Sequence, residues 1–172
     1  MDTTTALTIV APPEFHNKIN LIRSVNDKAY PRWMPHMNLL FPFVDENNFK
    51  TIKDKLESSL KDFGPMELNM NKIEYFVQGK NITFHISPDN DSKLQELFKI
   101  IRKTLPDIKI KHQQFHPHLT IGQFKKNELD AKLTELNKWL GSGFIFKIEK
   151  ICLIKRKDEK PFEIITEVLL KN

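Results

Sequence analysis

The chain has 172 residues, of which 40% are hydrophobic and 28% are charged, and its formal net charge is +5 at pH 7. These values suit a soluble protein with one compact domain, 1–172, or with two small lobes sharing one core. A single cysteine, Cys152, excludes an internal disulfide and disfavours a cysteine-based metal site, and its apolar neighbours predict a buried strand position. The positive charge favours an anionic partner but does not establish one.

Membrane insertion and secretion are both disfavoured by the sequence. No apolar run approaches the roughly 20 residues that span a bilayer, and residues 1–10 lack the basic start and apolar stretch of a signal peptide. We therefore expect a cytoplasmic protein without a membrane partner, with the nucleus left open.

Hydrophobic periodicity predicts a β-α-β-α-β order in the first half of the chain. The predicted elements are strands 7–10, 37–41 and 66–77 and helices 14–25 and 45–62. Asp45 is the expected N-cap of the second helix, whose inner face carries Phe49, Ile52, Leu56 and Leu60.

The same order starts again at Asn81. The predicted elements are strands 81–87 and 118–124, helices 91–105 and 127 or 130 to 140, and a final strand pair, 144–155 and 161–170. Leu94, Leu97, Phe98 and Ile101 form the inner face of the first helix in this half.

The two halves also resemble each other residue by residue. Three segments match in the same order: Pro35–Leu39 with Pro117–Ile121, Leu7–Ile9 with Ile82–Phe84, and Lys72–Ile73 with Lys150–Ile151. These matches indicate an internal repeat of approximately 1–79 and 80–172. We predict an α+β fold with two pseudo-symmetric antiparallel-sheet lobes, helices on the outside and a central cleft.

Two histidines occupy matching positions in this repeat. Because successive side chains of a strand point to opposite faces, His36 shares a face with Asn38, and His118 shares one with Thr120. Two imidazoles facing one phosphate suit acid–base catalysis, since one can take a proton from the attacking oxygen while the other gives a proton to the leaving oxygen. The Asn38 amide and the Thr120 hydroxyl can donate to a phosphoryl oxygen. This chemistry requires no metal and no other cofactor.

These motifs resemble those of the 2H phosphoesterase superfamily, also called 2′-5′ RNA ligase-like, whose signature is two His-x-Thr/Ser motifs on core strands of two lobes. Phe115–Gly122 is similar to the second motif, and Trp33–Phe43 resembles a branch that carries Pro-His-x-Asn-Leu. The resemblance implies a bilobal, metal-independent phosphodiesterase acting on RNA or small nucleotides, at 2′,3′-cyclic phosphates or 2′-5′ or 3′-5′ linkages. It implies His36 and His118 as acid and base, and Asn38 and Thr120 as phosphate-binding donors. We expect a monomer.

The sequence departs from the family pattern at two positions. Asn38 replaces the usual hydroxyl residue, and Gln123 stands where many relatives have Arg or Lys. Phosphate affinity is then expected to depend on other cations, for which Arg156 and Lys111 are candidates.

Several other side chains are candidates for substrate contact. They are Thr8, Thr83, His85, Tyr75 and His116. Thr83 and His85 share the polar face of their predicted strand. That face either lines the floor of the cleft or is only partly exposed to solvent without contacting a substrate. Trp33 and Tyr75 are candidates for stacking on a base, although Trp33 also suits a lobe core or rim.

Two alternatives to this function remain open. His112, His116 and His118 have a spacing that could hold zinc, although Pro117 interrupts the strand and no acidic or cysteine ligand lies nearby. The second alternative is a catalytically silent RNA- or nucleotide-binding module with the same cleft. The reason to keep this alternative is that Asn38 replaces the usual hydroxyl residue.

Overall fold

The computed structural model describes residues 2–110 and 114–171. Within these ranges the strands are β1 (Thr5–Val10), β2 (His36–Leu40), β3 (Met66–Gln78), β4 (Asn81–Pro88), β5 (Leu119–Lys125), β6 (Phe144–Ile148), β7 (Lys150–Lys155) and β8 (Glu163–Leu169). The helices are α1 (His16–Asn26), α2 (Phe49–Ser59), α3 (Ser92–Thr104) and α4 (Leu129–Leu140).

The strands form two four-stranded antiparallel sheets. The first has the order β2-β1-β7-β8 and the second the order β5-β4-β3-β6. Helix α1 packs against β5, α2 against β8, and α4 against β3. The predicted α+β fold with two antiparallel-sheet lobes is therefore confirmed.

Each sheet contains strands from both halves of the chain. The predicted strand 144–155 is interrupted at Glu149, so that β6 pairs with β3 whereas β7 pairs with β1. Strand β3 is 13 residues long, and it pairs first with β6 and then with β4. The repeat visible in the sequence thus does not coincide with the two lobes, because β3 of the first half joins the second sheet whereas β7 and β8 of the second half join the first sheet.

The core follows the predicted hydrophobic faces of the helices. The inner faces of α2 and α3 are buried as expected, from Phe49 to Leu60 and from Leu94 to Ile101. Asp45 caps the 3-10 turn that leads into α2, and its Oδ1 accepts a hydrogen bond from the Asn47 backbone at 2.8 Å. Each fully buried large apolar side chain contributes roughly 1.5–3 kcal/mol to the free energy of folding. Burial of these two faces therefore supplies much of the free energy that holds α2 and α3 in place.

The strand register changes one of the residue matches between the two halves that the sequence suggested. Thr8 lies opposite Asn38, and His85 lies opposite Thr120, each next to a bulge in its strand pair. The structural counterpart of Thr8 is therefore His85 and not Thr83. Sequence similarity chose Thr83 because both strands carry a threonine between apolar residues, whereas the register is set by the cross-strand hydrogen bonds.

Gly143 joins α4 to β6 at a point where the backbones are in close contact. Its φ is +84°, and a Cβ atom there would clash with the Met70 carbonyl oxygen and would lie 2.8 Å from the Asn71 Cα. Gly143→Ala should lower the free energy of unfolding by roughly 2–3 kcal/mol, because backbone strain and overpacking add. Urea unfolding measures this loss. Gly141→Ala is the control, since Gly141 also has a positive φ of +60°, but a Cβ atom added to it would meet no atom of the described residues within 4 Å; equal losses for the two variants would contradict the packing argument.

Candidate active site

His36 and His118 lie on the edge strands by which the two sheets approach each other. His36 begins β2 and His118 immediately precedes β5, and β2 and β5 are in contact. The charge of His118 also contributes to lowering the pKa of His36. The contact between β2 and β5 therefore brings the two segments that carry the histidines together.

Both imidazoles are held by the same hydrogen bond. The Nδ1 atom of His36 lies 2.7 Å from the Met34 carbonyl oxygen, and that of His118 lies 2.6 Å from the His116 carbonyl oxygen. Because a carbonyl can only accept, each Nδ1 must carry a proton and donate it. The Nε2 atom of each ring is then the one left to accept or to give a proton during a reaction.

Burial keeps both histidines neutral at pH 7 when no ligand is bound. Desolvation lowers the pKa of His36 to about 4, although the Met34 hydrogen bond acts in the opposite direction. Desolvation likewise lowers the pKa of His118. A negatively charged phosphodiester would raise both pKa values, since an opposite charge nearby stabilises the imidazolium.

Asn38 and Thr120 lie two residues after the histidines, on the same partly buried faces. Met37, Leu39, Leu119 and Ile121 are buried on the opposite faces. The Oδ1 atom of Asn38 is buried and has no hydrogen-bond partner within the described part of the chain. A ligand group that donates a hydrogen bond would satisfy this oxygen.

The two histidines have different neighbours. The Trp33 ring stacks on His36 with a centroid distance of 4.4 Å and an interplanar angle of 16°, and it also contacts Phe41 and Phe162. Trp33 therefore orients His36, and its ring is engaged by three protein rings. His118 instead contacts Phe76 edge-on at 5.2 Å and His85 at 5.1 Å.

A buried ion pair behind His36 was not predicted from the sequence. The side chains of Arg23 and Asp27 are each 1% exposed and form a 2.8 Å ion pair, while Arg23 also donates to the Trp33 carbonyl at 2.9 Å. The charges of both residues act on the pKa of His36. The sequence signal that could have revealed this ion pair is the spacing of four residues between Arg23 and Asp27 at the end of α1, on the side of the buried Ile19.

Gln123 connects the two lobes behind the site. Its side chain accepts a hydrogen bond from the Lys28 backbone at 2.9 Å and donates to Asp27 at 3.3 Å. Gln123 thus joins β5 to the segment after α1.

The contacts of two further candidates, Thr8 and Arg156, define their places in the structure. Thr8 is fully buried and donates to the Met37 carbonyl at 2.7 Å, so a substrate cannot contact it, which corrects that prediction. Arg156 lies over the Phe162 ring at 5.8 Å, and its guanidinium contacts Glu159 and the Asp158 carbonyl.

Among the other candidates, His85 and His116 lie beside His118, whereas the Tyr75 ring packs on Phe84. His85 is 3% exposed, Thr83 is partly buried on the same strand, and Tyr75 is 39% exposed. His116 is exposed and holds His118 through its carbonyl oxygen. Lys111, and His112 of the zinc alternative, fall between the two described ranges.

The described part of the chain contains neither a cluster of metal ligands nor a helix that could span a membrane. Across residues 2–110 and 114–171, His, Cys, Asp and Glu side chains form no group of three or more that could hold a metal ion. None of the helices described here combines the length and apolar character needed to cross a bilayer.

The chain matches the model of a known protein family. The model of the 2′-5′ RNA ligase superfamily matches residues 11–160, most of the chain. The chain belongs to this superfamily. The resemblance inferred from the two histidine motifs is therefore confirmed.

The chain is also similar over most of its length to two staphylococcal proteins that are named as phosphoesterases. The candidate phosphoesterase SH1944 of Staphylococcus haemolyticus is 23% identical over 155 residues, covering 90% of each chain. The candidate phosphoesterase SSP1770 of Staphylococcus saprophyticus is 20% identical over 157 residues, covering 90% of this chain and 92% of the other.

The solved structures share the fold across the whole chain. Escherichia coli LigT complexed with 3′-AMP has a TM-score of 0.67 at 12% identity, with 100% of each chain covered. TT0787 of Thermus thermophilus has a TM-score of 0.64 at 13% identity, with 98% of each chain covered. At these identities the likeness establishes the fold alone.

Proposed function

We propose that this member of the 2′-5′ RNA ligase superfamily is a metal-independent phosphodiesterase that acts on RNA or nucleotide phosphodiesters in the cytoplasm. The observation that carries the proposal is the matched pair of imidazoles, each with Nδ1 tied to a backbone carbonyl and Nε2 left to move a proton. The phosphoesterase names of the staphylococcal relatives and the 3′-AMP complex of LigT support it. Since both histidines come from one chain, a monomer suffices.

In the proposed mechanism one histidine accepts the proton of the attacking oxygen through Nε2 while the P–O bond to that oxygen forms. The other, as imidazolium, donates its Nε2 proton to the leaving oxygen as the second P–O bond breaks. Asn38 and Thr120 donate hydrogen bonds to the phosphoryl oxygens, whose negative charge grows in the transition state. Water as the nucleophile gives hydrolysis, and a ribose 2′-OH gives a cyclic phosphate.

An activity panel in the presence of EDTA tests this proposal. The purified protein should turn over a 2′,3′-cyclic nucleotide, a 2′-5′ dinucleotide or a 3′-5′ dinucleotide at the same rate with and without excess chelator. Loss of activity on chelation would contradict the metal-independent mechanism. Binding of all three without turnover would instead support the catalytically silent module.

The pH optimum should be lower for kcat/KM, which reports the free enzyme, than for kcat, which reports the substrate-bound enzyme. Because the ligand-free pKa of His36 is about 4 and that of His118 is also lowered, kcat/KM should follow a bell with both limbs below the ordinary histidine pKa of 6.5. The bell for kcat should lie at higher pH, since the bound phosphodiester raises both pKa values. Initial rates between pH 3.5 and 9 measure both profiles, and a kcat/KM optimum above pH 7 would contradict the assigned burial effect.

A further inference from the structure

The buried Arg23–Asp27 ion pair links the two segments that carry the proposed catalytic histidines. Arg23 donates from Nε to the Asp27 carboxylate at 2.8 Å and from Nη2 to the Trp33 carbonyl at 2.9 Å. The Asp27 carboxylate also accepts a hydrogen bond from the Gln123 side chain at 3.3 Å. Trp33 belongs to the segment that leads into β2, whereas Gln123 lies on β5. The hydrogen bonds therefore run from one sheet to the other.

The orientation of the Gln123 amide is fixed because its two partners are of opposite kind. The Lys28 backbone N–H can only donate, and it lies 2.9 Å from Gln123 Oε1. The ionised Asp27 carboxylate can only accept, and it faces Gln123 Nε2. The amide satisfies both groups at once, whereas a lysine or an arginine at this position would have no acceptor for the Lys28 N–H.

The backbone beside Gln123 packs tightly against the end of α1. A Cβ atom on Gly122 would lie 2.7 Å from the Asn26 Cβ and 3.1 Å from the Asn26 carbonyl oxygen. The absence of a side chain at Gly122 thus lets β5 approach α1 closely enough for Gln123 to reach Asp27. Because packed interiors transmit displacements, the hydrogen bonds of Gln123 act between two elements that are already in firm contact.

The Trp33 residue passes this placement on to the His36 ring. Its indole stacks on the imidazole with centroids 4.4 Å apart and packs on Phe162 with centroids 3.8 Å apart. Its carbonyl is held by Arg23, and the next carbonyl along the chain, that of Met34, lies 2.7 Å from His36 Nδ1. The side chain and the backbone of this segment thus act on the orientation of the same imidazole.

We propose that Arg23, Asp27 and Gln123 are positioning residues, which hold the Trp33–His36 stack in a fixed place relative to β5. They act through Trp33 and not on the phosphate itself. This role rests on the proposed function, in which two imidazoles from different strands must face one phosphate at the same time. Because a displacement of roughly 1 Å can lower a rate by about 10²-fold, residues that do not touch the reacting atoms can still determine kcat.

Gln123→Leu tests this role with little disturbance of the core, since Gln123 is only partly buried whereas Arg23 and Asp27 are buried. It should lower kcat about tenfold and leave KM within about twofold, because the groups that bind substrate remain. Gln123→Glu removes only the donor to Asp27 and should lower kcat at least as much. Steady-state kinetics on the best phosphodiester substrate measure both effects, and urea unfolding should show that both variants are folded.

A double-variant cycle tests whether Gln123 acts through Trp33. Trp33→Leu should lower kcat by up to about 10²-fold, and Trp33→Phe, which keeps a ring against His36, should recover part of this loss. The double variant Gln123→Leu/Trp33→Leu should lose little more than Trp33→Leu alone, because both substitutions disturb the same imidazole. Two unrelated structural effects would instead multiply.

Proton NMR of the His36 ring tests the positioning without any turnover. The ring current of the stacked indole moves the resonances of the imidazole protons upfield, and His36→Ala assigns these resonances by their disappearance. At pH 7, where burial keeps His36 neutral, Trp33→Leu should move them downfield. Gln123→Leu should move them part of the way in the same direction.

Asn90→Leu is the matched control, because Asn90 is another amide that joins two segments. It accepts from the Asn69 backbone at 2.7 Å and donates to the Glu67 carbonyl at 3.1 Å. It should change neither kcat nor the His36 resonances. An unmoved His36 resonance or an unchanged kcat in Gln123→Leu, or losses that multiply in the double variant, overturns the positioning role. If the resonances move as expected but no phosphodiester is turned over, the positioning of His36 stands and the proposed enzymatic function fails.

Discussion

Replacing His36 or His118 with alanine should lower kcat on the best phosphodiester substrate by about 10²- to 10⁴-fold, the usual contribution of a positioned acid or base. Each variant removes the Nε2 that moves a proton, and the two residues have matched Nδ1 hydrogen bonds to backbone carbonyls. Steady-state kinetics at the optimal pH of the wild-type protein measure the loss. Circular dichroism should show an unchanged fold, since both side chains are half-buried at the cleft and are not in the central core.

The matched control for these variants is His16→Ala, because His16 begins α1 and its Nε2 lies 2.7 Å from the Ala11 carbonyl oxygen. It should retain full activity. The double variant His36→Ala/His118→Ala should lose little more than either single variant, since groups that act as one unit are not additive. A single variant that keeps more than a tenth of the wild-type kcat would contradict acid–base catalysis by that histidine.

Arg23→Met should lower the free energy of unfolding by about 3–5 kcal/mol, because it leaves the Asp27 carboxylate buried without its ion partner. Both side chains are 1% exposed, so water cannot replace the lost guanidinium. The same substitution removes the hydrogen bond to the Trp33 carbonyl, and Trp33 stacks on His36. Urea unfolding at pH 7 measures the stability.

A second substitution distinguishes an unpaired charge from a simple loss of packing. Arg23→Met/Asp27→Leu should be more stable than Arg23→Met alone, because no uncompensated charge remains in the interior. Lys132→Met is the solvent-accessible counterpart, since it breaks the 2.8 Å pair between the partly exposed Lys132 and the exposed Glu135 on α4, and it should cost less than about 1 kcal/mol. A double variant less stable than Arg23→Met would contradict the charge argument.

Local patterns predicted the helices and the placement of the two histidines well. The spacing of Leu94, Leu97 and Ile101 follows from a helix with one buried face, and all three are fully buried. Alternation along β2 likewise predicted Met37 inward and His36 with Asn38 on the other face. These features depend on residues close together in the chain, where periodicity is informative.

The features that the sequence did not reveal depend on pairing between distant segments. The break at Glu149 that sends β6 and β7 into different sheets carries no proline or glycine to mark it. Similarly, the counterpart of Thr8 is set by the register of β4 against β5, and the bulge at Phe84/His85 shifts that register. The burial of Arg23 required a nearby carboxylate and carbonyl that only the folded chain brings together.

The exchange of strands between the halves means that neither half could stand alone as a folded unit. A fragment ending at the β3–β4 turn, near Gly79, would hold β1 and β2 without the neighbours β7 and β8, and would leave β3 with no strand to pair with. Two such fragments, produced separately and mixed, must therefore find each other before either gains a native sheet. Recovery of catalytic activity would then measure the reassembly of the two fragments, because each fragment carries one of the two histidines.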